Sequence, residues 1–154
     1  MRGRNFALMQ QWIDGTFEGG TSMLFPPPIA TAIPFKMTAI EEGVGTAEMD
    51  ADAATLANPM GTVHGGVLCT IADAAIGMTH WSSLDEGESF TSVDFRINFF
   101  RPIFRNHLVA TARLINGGKT ISYYACDITR EDGKLVAQAT STVMTLRGEK
   151  AAGR

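Results

Sequence analysis

Residues 65–81 read GGVLCTIADAAIGMTHW, a run of small and apolar residues with one carboxylate, Asp73, near its centre. A helix that is apolar on every side is normally buried, and an ionised carboxylate is costly to bury without a partner. The polar, glycine-rich stretch NPMGTVHGG, residues 58–66, leads into this run. We therefore expect a buried helix that starts with free backbone N–H groups and carries an acid in its middle, an arrangement typical of an active site.

Strand patterns flank this helix on both sides. Six strands are predicted, two before the helix and four after it: residues 33–41, 45–52, 93–99, 108–115, 120–129 and 135–146. Short glycine-containing turns join several of them, so neighbouring strands are expected to pair antiparallel. The pattern predicts an α+β fold in which a curved antiparallel sheet wraps around one long central helix. Such a sheet leaves exposed edges, which favours oligomerisation.

The length of 154 residues and a hydrophobic fraction of 45% are enough for the core of one domain. We expect residues 33–147 to form that domain. Residues 1–32 are predicted to be an N-terminal extension, with a short amphipathic helix over 5–14 and then a loop that ends in three prolines. Residues 148–154 are expected to be a disordered tail.

Composition excludes several classes of function. The formal net charge is -3 and the basic residues are scattered, which argues against nucleic acid as a partner. No run approaches the ~20 apolar residues that a membrane-spanning helix needs. Cys69 and Cys126 lie far apart and outside any Cys/His cluster, so no zinc site is predicted. Free thiols fit a reducing cytoplasm, which is the expected location.

The pattern formed by one set of residues is similar to that of a known family. The set is Asn58, His64-Gly65-Gly66, Ala72-Asp73, Ser92-Val93-Asp94 and Gly118-Lys119-Thr120. It resembles the hotdog-fold acyl-CoA thioesterases of the phenylacetic-acid-degradation (PaaI-like) group, over roughly residues 33–147. The resemblance implies a helix wrapped by a curved antiparallel sheet, in homodimers that pair into homotetramers. It also implies active sites at the dimer interface, with residues contributed by both subunits.

The resemblance implies catalytic roles for five residues. Asp73 is either a general base that activates water or a nucleophile that forms a mixed anhydride. The N–H of Gly65 is the expected oxyanion donor, and Asn58 is expected to orient water or hold the thioester oxygen. We expect His64 to shape the loop rather than act as the base. Ser92 is expected to help place the attacking water.

Four further residues are candidates for binding coenzyme A. Gly66 lets the substrate approach the helix start closely, and Arg101 and Lys119 are candidates to meet the phosphates of coenzyme A. Gly118 precedes Lys119 in a Gly-Lys-Thr run that resembles the end of a nucleotide-binding P-loop. That motif needs a glycine where this chain has Arg113, so a nucleotide triphosphatase is excluded.

The sequence thus predicts hydrolysis of an acyl- or aryl-CoA thioester, with no metal ion or organic cofactor, and two alternatives stay open. A hotdog hydratase or dehydratase is disfavoured, because His64 follows Asn58 by six residues rather than three and the helix acid is Asp73 rather than a glutamate. A non-catalytic acyl-CoA-binding module is the second alternative. Such sensors usually carry a DNA-binding domain, and no helix-turn-helix pattern is present.

Overall fold

Six antiparallel strands and one long helix dominate the computed structural model, which describes residues 4–152. The strands are β1 (Lys36–Glu41), β2 (Val44–Asp52), β3 (Ser89–Phe99), β4 (Arg105–Gly117), β5 (Ile121–Arg130) and β6 (Leu135–Leu146). The helices are α1 (Arg4–Asp14), α2 (Ile29–Ala32), α3 (Ala53–Leu56) and the long α4 (Gly65–Ser82). The predicted α+β architecture is confirmed.

The strands form one sheet in the order β1-β2-β4-β5-β6-β3, so β1 and β3 are its two edges within the described chain. Every neighbouring pair is antiparallel. Tight turns join β1 to β2 and β5 to β6; Gly43 and Gly133 have positive φ angles of 73° and 76° there, which favour glycine. In chain order α4 lies between β2 and β3. The helix packs against one face of the sheet.

One face of α4 forms the centre of the core. Ile71, Ala75 and Ile76 are fully buried, and the helix packs closely against β2 and β4. Gly45 of β2 makes this close approach possible, because a Cβ atom there would lie 2.1 Å from Oγ1 of Thr79.

The opposite face of α4 is open in the single chain. Gly66 and Asp73 are exposed, and Thr70, Ala74 and Met78 are only half-buried. In one chain the sheet therefore buries α4 on most of its sides and leaves this one face uncovered. An apolar helix that leaves one face open indicates that something else covers that face.

The N-terminal extension packs on the end of α4. Met9 of α1 is fully buried, and Phe25 lies between Trp12 and Trp81, with ring centroids 5.2 Å away on either side. In the tail that was expected to be disordered, Gly148–Ala151 forms a short 3-10 helix. Residues 1–3 of the extension and 153–154 of the tail lie outside the described residues. Among the helices of residues 4–152, none is long and apolar enough to cross a membrane.

Candidate active site

His64 caps the start of α4. Its ring Nδ1 accepts a hydrogen bond from the N–H of Gly66 at 2.8 Å, and its carbonyl accepts one from the N–H of Val67 at 2.9 Å. Because Nδ1 accepts this bond, the ring N–H that is available to other partners lies at Nε2. Through these contacts His64 joins the loop to the start of the helix.

Gly65 is the first residue of α4, and its N–H has no acceptor among the described residues. The first N–H groups of a helix lie at the positive end of its dipole and attract developing negative charge. The ring of Phe99 lies directly over this glycine, since a Cβ atom at Gly65 would come within 2.9 Å of the Phe99 Cζ. Only glycine leaves this space open.

Asn58 shapes the loop that leads to the helix. Its Oδ1 accepts the N–H groups of Met60 at 3.0 Å and Thr62 at 3.2 Å, and its Nδ2 donates to Oγ1 of Thr62 at 2.9 Å. An amide nitrogen carries two hydrogens, so one N–H of Asn58 is left for a ligand. The side chain is thus both a turn element and an available donor.

Asn58 and Gly65 line the same cavity, which we call the helix-start cavity. It has a volume of about 460 Å³, and its walls include Phe99, Phe100 and Arg101. The Arg101 side chain is exposed at the rim, and its Nη1 donates to the carbonyl of Leu135 at 2.6 Å. The cavity therefore combines two free N–H donors, apolar walls and one cation.

Asp73 opens into a different cavity, the Asp73 cavity, of about 250 Å³. Thr70 and Ser92 are its other polar lining residues, and the rest of its walls are apolar or glycine: Pro27, Ile29, Phe35, Ala74, Gly77, Met78 and Phe90. No hydrogen bond or ion pair to the Asp73 side chain occurs within the described residues. Although the side chain is exposed in the single chain, the protein around it displaces enough water to raise the pKa of Asp73.

The two cavities share no lining residue. Gly65 and Asp73 are eight residues apart along one helix, which corresponds to about 12 Å. The predicted site residues thus form two groups in a single chain: Asn58 and Gly65 at the helix start, and Asp73 with Ser92 at its middle.

The predicted coenzyme A residues are also divided. Arg101 lies at the start of β6, where it contacts Leu135, whereas the Lys119 carbonyl accepts a hydrogen bond from Arg147, just beyond the end of β6. These points are roughly 35 Å apart along the strand, so Arg101 and Lys119 of one chain cannot hold the same phosphate. Gly118 is explained by its turn: a Cβ atom there would lie 2.7 Å from the Ile121 carbonyl oxygen.

The cysteines have no place in this chemistry. Burial raises the pKa of the Cys69 thiol, and it raises that of Cys126 to about 12, so both are poor nucleophiles at neutral pH. No cluster of His, Cys, Asp or Glu that would suit a metal ion occurs in the described part of the chain.

Of the ten residues that line the Asp73 cavity, sequence reasoning identified only Asp73 and Ser92 as site residues, and it missed Thr70 and Gly77 on the helix itself. Both lie on the same face of α4 as Asp73, at helical spacings of three and four residues. The signal for Gly77 was available, because a glycine in a helix interior is destabilising and calls for a reason.

Comparison with known proteins places the chain in a family. The Thioesterase superfamily model matches residues 60–137, about half of the chain. Acyl-coenzyme A thioesterase 13 from Mus musculus is 33% identical over 87 residues, which span 55% of this chain and 61% of the mouse enzyme.

Two solved structures are similar over most of the chain. A thioesterase from Haemophilus influenzae has a TM-score of 0.72 and 26% identity, covering 77% of this chain and 82% of that one. A phenylacetic acid degradation-related protein from Ralstonia eutropha has a TM-score of 0.74 and 27% identity, covering 89% and 98%.

A curved antiparallel sheet around one long helix, together with these similarities, defines a hotdog-fold thioester hydrolase. The chain belongs to the Thioesterase superfamily. Within it, the chain is a PaaI-like member.

Proposed function

We propose that this protein hydrolyses acyl-CoA thioesters at sites built from two copies of the chain. The proposal rests on the distance between the oxyanion donor and the carboxylate within one chain. The free N–H of Gly65 and the unpaired carboxylate of Asp73 open into different cavities, so neither cavity alone holds both an oxyanion donor and a base. The mouse relative, an acyl-coenzyme A thioesterase, supports the substrate class.

Pairing of the β3 edge strands of two chains would bring the oxyanion donor of one chain to the base of the other. The Phe99 end of β3 lies at the helix start, against Gly65, and the other end carries Ser92 at the Asp73 cavity. Antiparallel pairing of β3 with its own copy brings the Phe99 end of one chain toward the Ser92 end of the other. Each helix-start cavity then faces the Asp73 cavity of the partner.

Exposed apolar side chains support this homodimer. Met60 and Phe99 are 83% and 52% exposed beside the helix-start cavity, and large apolar groups in such a position favour an interface. Ile115 and Tyr123, exposed on the sheet around the β4–β5 turn, offer a second surface by which dimers pair into a homotetramer.

In the proposed reaction, the thioester carbonyl oxygen accepts hydrogen bonds from the N–H groups of Gly65 and Asn58. Asp73 of the partner subunit takes a proton from water as the water oxygen attacks the carbonyl carbon. The alternative is direct attack by the carboxylate, which forms an anhydride that water then hydrolyses. In either route the C–S bond breaks and the thiolate of coenzyme A leaves and takes up a proton. A raised pKa makes Asp73 a stronger base than an ordinary aspartate.

The other predicted residues support these steps. His64 holds the loop that presents Gly65, and Ser92 offers a hydroxyl beside Asp73 for placing the water. Gly66 leaves the helix start open, and Arg101 offers a cation to a phosphate of coenzyme A at the rim. Lys119, which follows Gly118 at the far end of the sheet, would act on this substrate only from another subunit.

The acyl group is proposed to occupy the Asp73 cavity, because its walls are mainly apolar. Gly77 lies one helical turn beyond Asp73 on α4, and Phe90 of β3 packs against Gly77, which limits the cavity to a depth of about 6 Å along the helix. This depth suits a short chain or a single ring. The unpaired thiols of Cys69 and Cys126 support a cytoplasmic location.

Release of free thiol from a panel of acyl- and aryl-CoA thioesters tests the proposal. Asp73→Asn keeps the side-chain shape and removes the base, so turnover should fall at least about a hundredfold. Asp85→Asn, an exposed aspartate on the loop after α4, is the matched control and should retain activity. Binding of acyl-CoA without turnover by the unmodified protein would favour the non-catalytic binding module instead.

Mixing two inactive variants tests the composite site. Asn58→Asp keeps the acceptor for the loop and removes the amide donor, while Asp73→Asn removes the base. Random pairing of these chains restores about a quarter of the sites if each site takes one residue from each chain. If both residues acted within one chain, mixing would restore none.

A further inference from the structure

Strand β3 contains a β-bulge beside the Asp73 cavity. Ser92 pairs with Val143 and Asp94 pairs with Thr142, so Val93 has no partner on β6. A bulge places one extra residue in a strand and changes which side chains face inward on either side of it. Bulges of this kind are frequent next to active sites, where they re-aim a side chain.

The bulge determines which residues reach Asp73. On one side of it, Phe90 and Ser92 face α4 and line the Asp73 cavity. On the other side, Phe95 faces α4 and lines an adjoining cavity with Thr70 and Asp73. In a regular strand, positions 92 and 95 would point to opposite faces, because side chains alternate with a period of two. The bulge therefore lets both residues face the acid.

The side chain of Asp94 replaces the ladder bond that the bulge disrupts. Its Oδ1 accepts the backbone N–H of Thr142 at 2.9 Å, and its Oδ2 accepts the hydroxyl of Thr142 at 3.0 Å. The hydroxyl of Ser141 donates to the Asp94 carbonyl at 2.7 Å. Three hydrogen bonds thus fasten the bulged strand to β6 at one residue.

We propose that Asp94 is a positioning residue for catalysis, because it fixes the bulge that turns Ser92 and Phe95 toward Asp73. This inference rests on the proposed function. Asp94 touches neither cavity, so it acts only through the geometry of β3. Loss of its bonds lets the segment before the bulge slip toward regular alternation, which moves Ser92 away from the acid.

The activity test compares Asp94→Ala with Asp127→Ala. Asp127 is a matched control, since it also accepts a hydrogen bond across to β6, from Gln138 at 2.7 Å, but from its direct pairing partner and away from the bulge at Val93. We expect Asp94→Ala to lower kcat about tenfold with little change in KM, since small displacements near reacting groups reduce rates strongly. Asp127→Ala should leave kcat unchanged.

Two further variants separate positioning from general destabilisation. Asp94→Asn retains an acceptor for the Thr142 N–H and should recover most of the lost kcat. In a Ser92→Ala background, Asp94→Ala should cost less than it does alone, because the group being positioned is gone. Equal losses of kcat in Asp94→Ala and Asp127→Ala, or no loss in Asp94→Ala, would overturn the inference.

Amide hydrogen exchange at Thr142 gives a readout that does not depend on activity. The N–H of Thr142 should exchange at least about tenfold faster in Asp94→Ala than in the unmodified protein, and it should be unaffected in Asp127→Ala. An unchanged exchange rate in Asp94→Ala would refute the role of Asp94, whatever the activity. Faster exchange in a protein that hydrolyses no thioester would instead contradict the proposed function.

Discussion

The buried His80 makes the stability of this protein sensitive to acid. It lies in the last turn of α4, 2% exposed. Its Nδ1 lies 3.1 Å from the hydroxyl of Tyr124, and its Nε2 lies 3.0 Å from Oγ1 of Thr145. A neutral ring is satisfied by these two hydroxyls, whereas a protonated ring would be a buried charge. Burial lowers the pKa of His80 from 6.5 to about 4.

The direction of the pH effect follows from this shift. Between pH 6.5 and 4 the unfolded chain takes up a proton at His80 and the folded chain does not, so acid favours unfolding. Above pH 6.5 both states are neutral, and the full stability is present. A shift from 6.5 to about 4 corresponds to about 3 kcal/mol, at roughly 1.4 kcal/mol per pKa unit.

Urea unfolding of the unmodified protein and of His80→Gln, at pH 7.5 and at pH 4, measures this contribution. The same protein concentration is needed throughout, because oligomer stability depends on it. The stability advantage of the unmodified protein should shrink by about 3 kcal/mol on acidification. Other titrating groups, such as His107, whose pKa is raised by hydrogen bonds to Asp50 and Glu48, are present in both proteins and cancel. An advantage that is the same at both pH values would refute the reasoning.

Substitutions at two glycines, Gly45 and Gly77, are expected to change stability in opposite directions. Gly45→Ala places a methyl group against Oγ1 of Thr79 and should lower the free energy of unfolding by ~1–3 kcal/mol. In the double variant, Thr79→Ala should relieve part of that loss. Strictly additive losses in the free energy of unfolding would contradict the contact. Gly77→Ala meets Phe90 only at 3.4 Å, so it should raise stability by ~0.5–1 kcal/mol in thermal unfolding. The same change should reduce kcat/KM for ring-bearing acyl groups more than for acetyl, and an unchanged acyl preference would contradict the placement of the acyl group in the Asp73 cavity.

The main elements of the fold can be predicted from hydrophobic periodicity, since a helix and a half-buried strand each leave a distinct pattern. The start of β3 shows where this fails. Alternation predicts a strand from residue 93, but the strand begins at Ser89. The bulge at Val93 shifts the phase, so residues 89–92 do not continue the pattern.

The candidate site was harder to predict because sequence spacing carries no distance between elements. Asp73 and Gly65 share a helix, so their separation follows from helical geometry. Arg101 and Lys119 belong to different loops, and their position at opposite ends of β6 depends on strand order. The sequence does not show which face of α4 is open either, since an apolar helix has the same pattern whether its own sheet or a second chain covers it.

The packing of Phe25 between Trp12 and Trp81 has a practical consequence. The chain has two tryptophans, and both lie where the N-terminal extension meets the end of α4. Their intrinsic fluorescence therefore reports the docking of that extension without any added label. A red shift in emission that precedes loss of far-ultraviolet circular dichroism would show the extension detaching before the sheet unfolds. The same signal would reveal whether substrate tightens that junction, since the extension also contributes Pro27 and Ile29 to the wall of the Asp73 cavity.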